Sequence, residues 1–178
     1  MFHSTGGDGW RFSSGWLTAA HHGDWFRVTT DSSTNYVSIL ELWGEALSGT
    51  IPTQIGVLTS LNDLYLDYNA LSGTIPAQIG QLTSLTRLNL FDNDLSGTIP
   101  VQIGQLTSLN WLSFYNNAIS ETIPTQIGQL TSLKYLNLSN NDLTGSIPNG
   151  VCDMLTFLYA GCVNCYASKS PCCSDCIF

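Results

Sequence analysis

Residues 61–84 read LNDLYLDYNALSGTIPAQIGQLTS, and this stretch decides the fold because it recurs. Its Ile75-Pro76 pair has counterparts at Ile51-Pro52, Ile99-Pro100, Ile123-Pro124 and Ile147-Pro148, always 24 residues apart. A fixed period of this size marks stacked structural repeats, each too small to bury its apolar face alone. The quoted copy carries Leu61, Leu64, Leu66, Leu71, Ile75, Ile79 and Leu82, and the copies from Leu85, Leu109 and Leu133 match it closely. One period earlier lies a first copy at Val37, Leu40, Leu42, Leu47 and Gly49, with Glu45 in the place of Asn69. One period later, the same phase predicts a truncated sixth copy at Phe157, Ala160, Cys162 and Cys165.

Each position has a mechanical role. Leu-x-x-Leu-x-Leu ends in a period of two, which makes a short strand with alternate residues buried. Stacked copies place these strands side by side, about 4.8 Å apart, in one parallel sheet. Asn69, Asn93, Asn117 and Asn141 follow the strand. An amide there can both donate and accept, so a ladder of them ties successive coils together. The alternation Leu71, Gly73, Ile75 predicts a second short strand, with Ser72 and Thr74 outward. The Pro and Gly that follow return the chain across the back as 3-10 turns or loops.

This pattern resembles the plant-type leucine-rich repeat family, whose hallmark is L-x-G-x-I-P in a unit of this length. Within it, runs such as Leu71–Pro76 and Ile79–Ser84 are similar to secreted or cell-surface repeat proteins of diatoms and related algae. The resemblance implies an α/β repeat solenoid: a right-handed superhelix with a concave parallel sheet, capped at both ends. It also implies that Cys can replace the ladder Asn, as at Cys165. Three regions follow: an N-terminal cap at 1–36, repeats at 37–167, and a Cys-rich C-terminal cap at 152–178 that overlaps the last repeat. Trp10, Trp16, Trp25 and Phe26 read as cap core. The family's cap reads W-x-G-V-x-C, and here Arg27 replaces the Gly and Thr30 the Cys, so its usual disulfide is absent.

Composition narrows the partners. Charged residues make up 10% of the chain, against about 25% in an average soluble protein. The surface is therefore mostly neutral and polar. Five basic residues against thirteen acidic ones give a net charge of −8. That argues against nucleic acid and against an anionic membrane surface. No apolar run approaches the roughly 20 residues of a membrane span. Residues 1–10 lack the basic and apolar regions of a secretion leader. The six cysteines Cys152, Cys162, Cys165, Cys172, Cys173 and Cys176 cluster at one end. They indicate disulfides and an extracellular or cell-surface location. The two C-x-x-C pairs leave a zinc site as the alternative.

No catalytic motif is present, and no cofactor is implied. His3, His21 and His22 lie in the cap, where His21, His22 and Asp24 read as a solvated loop rather than a metal site. Glu41, Asp63, Asp67 and Asp92 could supply paired acids, but on an open sheet they are expected to be solvated and unshifted. The outward strand positions are where the copies differ. Trp43, Asp63, Tyr65, Asp67, Arg87, Phe91, Trp111, Tyr115 and Tyr135 form an aromatic and acidic surface suited to a protein, peptide or glycan ligand of basic or neutral character. Aromatics also pair across strands for stability alone. One sequon, Asn137-Leu138-Ser139, lies on the same face.

A second face carries hydroxyls in columns: Ser48, Ser72, Ser96, Ser120 and Thr144, beside Thr50, Thr74, Thr98, Thr122 and Ser146. Gln54, Gln78, Gln102 and Gln126 add a third, and only Glu121 intrudes, where other copies have Gly. A regular hydroxyl ladder suits an ice lattice, although Ser and Thr also suit an exposed short strand. The leading expectation is a non-catalytic recognition module. An ice-binding protein and a structural subunit of a larger particle are the alternatives.

Overall fold

The computed structural model describes residues 27–148, Val151 and residues 155–159. The Trp and His residues of the cap and all six cysteines lie outside these residues, as do Asp24, Phe26 and Ala160.

The chain forms two parallel stacks of strands joined by 3-10 turns. The main sheet contains seven strands: β1 (Val28–Thr30), β2 (Val37–Glu41), β4 (Asp63–Tyr65), β6 (Arg87–Asn89), β8 (Trp111–Ser113), β10 (Tyr135–Asn137) and β12 (Phe157–Tyr159), in that spatial order. Only β1 is antiparallel, folding back on β2 at the cap end of the stack. The second sheet contains β3 (Ser48–Thr50), β5 (Ala70–Gly73), β7 (Asp94–Gly97), β9 (Ala118–Thr122) and β11 (Asp142–Thr144). Turns Thr53–Val57, Ala77–Gln81, Val101–Gln105 and Thr125–Gln129 close the coils. Each follows a proline with φ between −65° and −72°, the value its ring imposes.

The period becomes geometry in the core. Leu42, Leu66, Leu90, Phe114 and Leu138 form one fully buried row, with Phe114 filling a Leu place. Ile51, Ile75, Ile99, Ile123 and Ile147 form another under the prolines. The Asn ladder forms as expected. Asn93 Nδ2 donates to the carbonyls of Leu66 in the preceding coil and Leu90 in its own, at 3.0 and 3.1 Å, while its Oδ1 accepts from Leu71 N–H at 3.0 Å. Asn69, Asn117 and Asn141 repeat this pattern. Each net satisfies backbone groups that a tight turn would otherwise leave unpaired in the interior.

Two expectations need correction. The sixth coil exists but is two residues out of phase. Tyr135 pairs with Phe157 and Leu136 with Leu158, so Leu155 takes the buried place of Leu133. Its register residues are therefore Leu155 and Leu158, not Phe157 and Ala160, and the segment between the fifth and sixth strands is two residues shorter. The second correction concerns the outward acids. Asp63 and Asp67 are buried rather than solvated.

Candidate functional site

The outer face of the main sheet is assembled from residues that a strict period sets in columns. Register puts Ile39, Asp63, Arg87, Trp111 and Tyr135 side by side, with Glu41, Tyr65, Asn89, Ser113 and Asn137 as the next column. Beyond the strands the ladder continues through Gly44 N–H to Asp67 C=O, Tyr68 to Phe91, Asp92 to Tyr115 and Asn116 to Ser139. Trp43, Asp67, Phe91, Tyr115 and Ser139 thus form a third column.

The first column is closely knit. Arg87 Nη1 lies 3.4 Å from Asp63 Oδ2, and Thr86 donates to Asp63 Oδ1 at 2.8 Å. The Tyr65 hydroxyl, and then Asp63, hold the Arg87 guanidinium above its ordinary pKa. Trp111 Nε1 donates to Asn89 Oδ1 at 2.8 Å, and its ring stacks on Tyr135 with centroids 3.5 Å apart and planes 5° from parallel. A shallow groove of about 360 Å³ runs along this edge, between Arg87, Asn110, Trp111, Lys134 and Tyr135.

The third column differs. Trp43 is 47% exposed and Tyr115 is 38% exposed, while Asp67 between Trp43 and Phe91 is only 6% exposed. The cause is size: a short carboxylate stands in a row of rings. Tyr68, the next residue, is 58% exposed and meets Phe91 edge to face at 4.8 Å. Asp67 Oδ1 is buried without a hydrogen-bond partner. Loss of water pushes its pKa up to about 6; its own backbone amide works against this, and the charge of Asp92 adds to it. Asp92, Asn116 and Asn140 form a polar column beyond, with Asn116 Nδ2 donating to Asp92 and Asn140 Nδ2 to Asn116.

The sequon begins at Asn137, the last residue of β10. Asn137 Oδ1 accepts from the Ser139 hydroxyl at 2.7 Å and from its amide at 3.1 Å. The hydroxyl face is divided in its use. Ser72, Ser96 and Ser120 are half-buried and donate to the carbonyls of Gly49, Gly73 and Gly97 in the preceding coil. Thr50, Thr74, Thr98 and Thr122 are exposed. Among the described residues, no group of three or more His, Cys, Asp or Glu is placed to hold a metal ion. Nor is any helix among them long and apolar enough to cross a membrane.

Sequence reasoning missed the Arg27–Glu45 pair. Arg27 Nε lies 3.0 Å from Glu45 Oε1, its Nη1 donates to Trp43 C=O at 3.2 Å, and its Cζ stands 4.3 Å above the Trp43 ring. The signal was available: Arg27 departs from the cap pattern and Glu45 from the repeat, at positions that β1 and the first coil bring together.

These coils define a repeat solenoid whose main sheet presents an aromatic face to solvent. The chain belongs to the leucine-rich repeat family, whose model, described as a leucine-rich repeat region, matches residues 36–160. Solved plant structures are similar. A chain of the BIR3–SERK2 complex of Arabidopsis thaliana shares 34% identity at a TM-score of 0.72, covering 83% of this chain and 82% of that one. The ectodomain of the Arabidopsis receptor kinase HAESA, in complex with an IDA peptide hormone ligand, shares 32% identity at a TM-score of 0.69. There the match covers 77% of this chain and 24% of the receptor. The plant peptide hormone receptor RGFR1, in complex with RGF2, shares 34% identity at 0.69, covering 78% of this chain and 26% of that one. The chain thus spans about a quarter of each of these two receptors. A comparison with curated proteins finds no match.

Proposed function

We propose that this chain is a non-catalytic, extracellular recognition module that binds a peptide or an extended segment of a protein across the outer face of its main sheet. One observation carries the reading. Of the seven exposed large apolar residues among those described, four (Trp43, Tyr68, Trp111 and Tyr115) lie on this one face. Rings held on a rigid sheet contribute contact area at little entropic cost, which is the composition of binding hot spots. The similar ectodomains solved in complex with peptide hormones support a peptide as the kind of ligand. The hydroxyl face reads instead as part of the scaffold, because its seryl column is spent on the neighbouring coil's carbonyls. The finer likeness to algal secreted repeat proteins rests on the shared runs Leu71–Pro76 and Ile79–Ser84.

The test is a random peptide library selected on the whole chain. Selected peptides are expected to lose about ten-fold or more in affinity on Tyr115→Ala and nothing on Val101→Ala, an exposed residue in a 3-10 turn. Peptides that respond to Val101→Ala and ignore Tyr115→Ala would overturn the proposal. Thermal hysteresis from the wild-type chain would return the hydroxyl face to consideration.

A further inference from the structure

One edge of the main sheet reverses the charge of the molecule. The chain as a whole carries a net charge of −8. Among the described residues only Arg27, Arg87 and Lys134 are basic, and Arg27 is paired with Glu45. The other two, Arg87 and Lys134, line the same groove. This groove holds about 360 Å³, and no described acidic residue lines it. It reaches from Thr86 to Thr156 and so crosses four successive coils, about 14 Å at three strand spacings.

The backbone sets these groups in place. Asn110 N–H donates to Thr86 C=O, Lys134 to Asn110 and Thr156 to Lys134, which makes a column one residue before the strands. Beside it runs the column of Arg87, Trp111 and Tyr135. Arg87 and Lys134 therefore flank the coil of Trp111 on either side. The Arg87 guanidinium has more N–H donors than Asp63 and the Tyr65 hydroxyl take up. Both Asp63 oxygens are engaged, one by Thr86 and one by Arg87. Lys134 is exposed, and among the described residues its ammonium has no ion-pair partner. Two cations against one acid leave the groove with a net positive charge. Trp111 and Tyr135 stack with centroids 3.5 Å apart, so their inner faces are spent on each other. The pair offers its edges to the groove, and aromatic edges carry partial positive charge.

We infer that this groove receives an aspartate or glutamate side chain of the bound peptide, held between Arg87 and Lys134 against the edges of Trp111 and Tyr135. This deepens the proposed function and rests on it. A carboxylate over the coil of Trp111 meets a cation on each side, and hydrogen bonds between ionised partners are the strong ones. A side chain fits the groove better than a chain terminus. The groove crosses more coils than a terminal carboxylate needs, and Thr156 extends it one coil beyond Lys134. Overall acidity favours a basic or neutral ligand, while this edge selects an acid locally.

The experiment titrates two blocked peptides, Ac-Ala-Ala-Glu-Ala-Ala-amide and its glutamine isostere, into the full chain at about pH 7.5 and low salt. NMR signals of the Trp111 indole and the Lys134 ammonium report the site. The glutamate peptide is expected to bind about ten-fold or more tightly than the glutamine one, with the difference shrinking at high salt. Lys134→Glu is expected to remove the preference and Lys134→Arg to keep it. Lys134→Gln supplies the same test if the charge reversal misfolds. Equal binding of the two peptides overturns the inference, as does a preference that survives Lys134→Glu. An all-alanine peptide with a free C-terminus that binds more tightly than the blocked glutamate peptide overturns it too, and assigns the groove to a chain terminus. Methyl glucuronide doing the same would assign it to an acidic glycan. Library peptides that depend on Tyr115 but carry no excess of Asp or Glu would sink the groove and leave the surface reading standing. Lys134-dependent binding of the glutamate peptide, with no Tyr115-dependent peptide selected, would do the reverse.

Discussion

Arg27 and Glu45 are joined by a 3.0 Å ion pair that fastens the residue before β1 to the first coil. Each is an exception to an expected pattern, Arg27 before β1 and Glu45 in the first coil. Glu45 stands where later coils have the ladder Asn and is 1% exposed. Arg27 holds φ at +62°, a left-handed conformation that suits glycine. The chain accepts backbone strain at one residue to neutralise a buried charge at the other. Arg27→Gly relieves about 1–2 kcal/mol of strain but takes the guanidinium away from the buried Glu45 carboxylate, at about 3–5 kcal/mol. A net loss of about 2 kcal/mol is expected in urea unfolding. Adding Glu45→Asn is expected to recover most of it. Simple additivity of the two substitutions would refute the coupling.

Glycines in the 3-10 turns serve space rather than conformation. A Cβ on Gly104 would lie 2.7 Å from Gln126 O and 2.8 Å from Gln126 Cβ of the next coil. Backbone cannot swing aside, so Gly104→Ala is expected to lower stability by about 1–3 kcal/mol. Gly80 holds the same place one coil earlier, where a Cβ would lie 2.6 Å from Gln102 O, and Gly80→Ala is expected to cost as much. Thermal melts of the two variants decide it, and an unchanged Tm in both would mean that coil contact is not the reason for these glycines.

The interior was legible because periodicity reports it directly. Leu66, Leu90 and Leu138 share a row, and the Asn ladder closes as its donors and acceptors require. Phase extrapolation failed at the sixth coil, where a segment lost two residues. The spacing Leu155-x-x-Leu158 was the available clue, and it fits the repeat better than Phe157 and Ala160. Asp67 was misjudged for another reason. Whether an outward acid is wet depends on the bulk of residues 24 positions to either side, here Trp43 and Phe91. The period sets Asp67 in a column between Trp43 and Phe91, but it does not say that the rings cover the carboxylate. Arg27 and Glu45 each looked like a lone defect, because a repeat pattern carries no term for compensation between cap and coil.

Glu121 occupies the one place in its column where the chain departs from glycine. Gly49, Gly73, Gly97 and Gly145 hold φ between 74° and 84°, and Glu121 is held at 69°. A side chain there strains a conformation its neighbours reach freely. Glu121→Gly is expected to stabilise by about 1 kcal/mol, after allowing for the greater freedom of glycine in the unfolded chain. For a domain of this size that raises Tm by about 2–4 °C. An unchanged or lower Tm in calorimetry would show that the Glu121 side chain gives back in contacts what its backbone loses.

The raised pKa of Asp67 makes stability depend on pH with a definite sign. The folded value is about 6, against an ordinary 3.8, so the folded state holds this proton more tightly than the unfolded one. Below about pH 3 both states are protonated and the group is neutral in effect. As pH rises from about 3 to about 7 the unfolded chain releases the proton first, and stability falls by up to about 3 kcal/mol. Asp31 runs the opposite way in a lower window. Hydrogen bonds from the Ser33 hydroxyl, then from Thr34 and the Ser33 amide, hold its carboxyl at about 2, so its contribution is lost only as pH drops below about 4. Wild type and Asp67→Asn, compared by urea unfolding from about pH 3 to about pH 8, therefore isolate the first effect. The difference in stability is expected to be near zero at about pH 3 and to favour the variant by up to about 3 kcal/mol at about pH 7.5. Parallel curves across that range would mean that Asp67 is solvated or paired in solution, and the unsatisfied charge on the sheet would not exist.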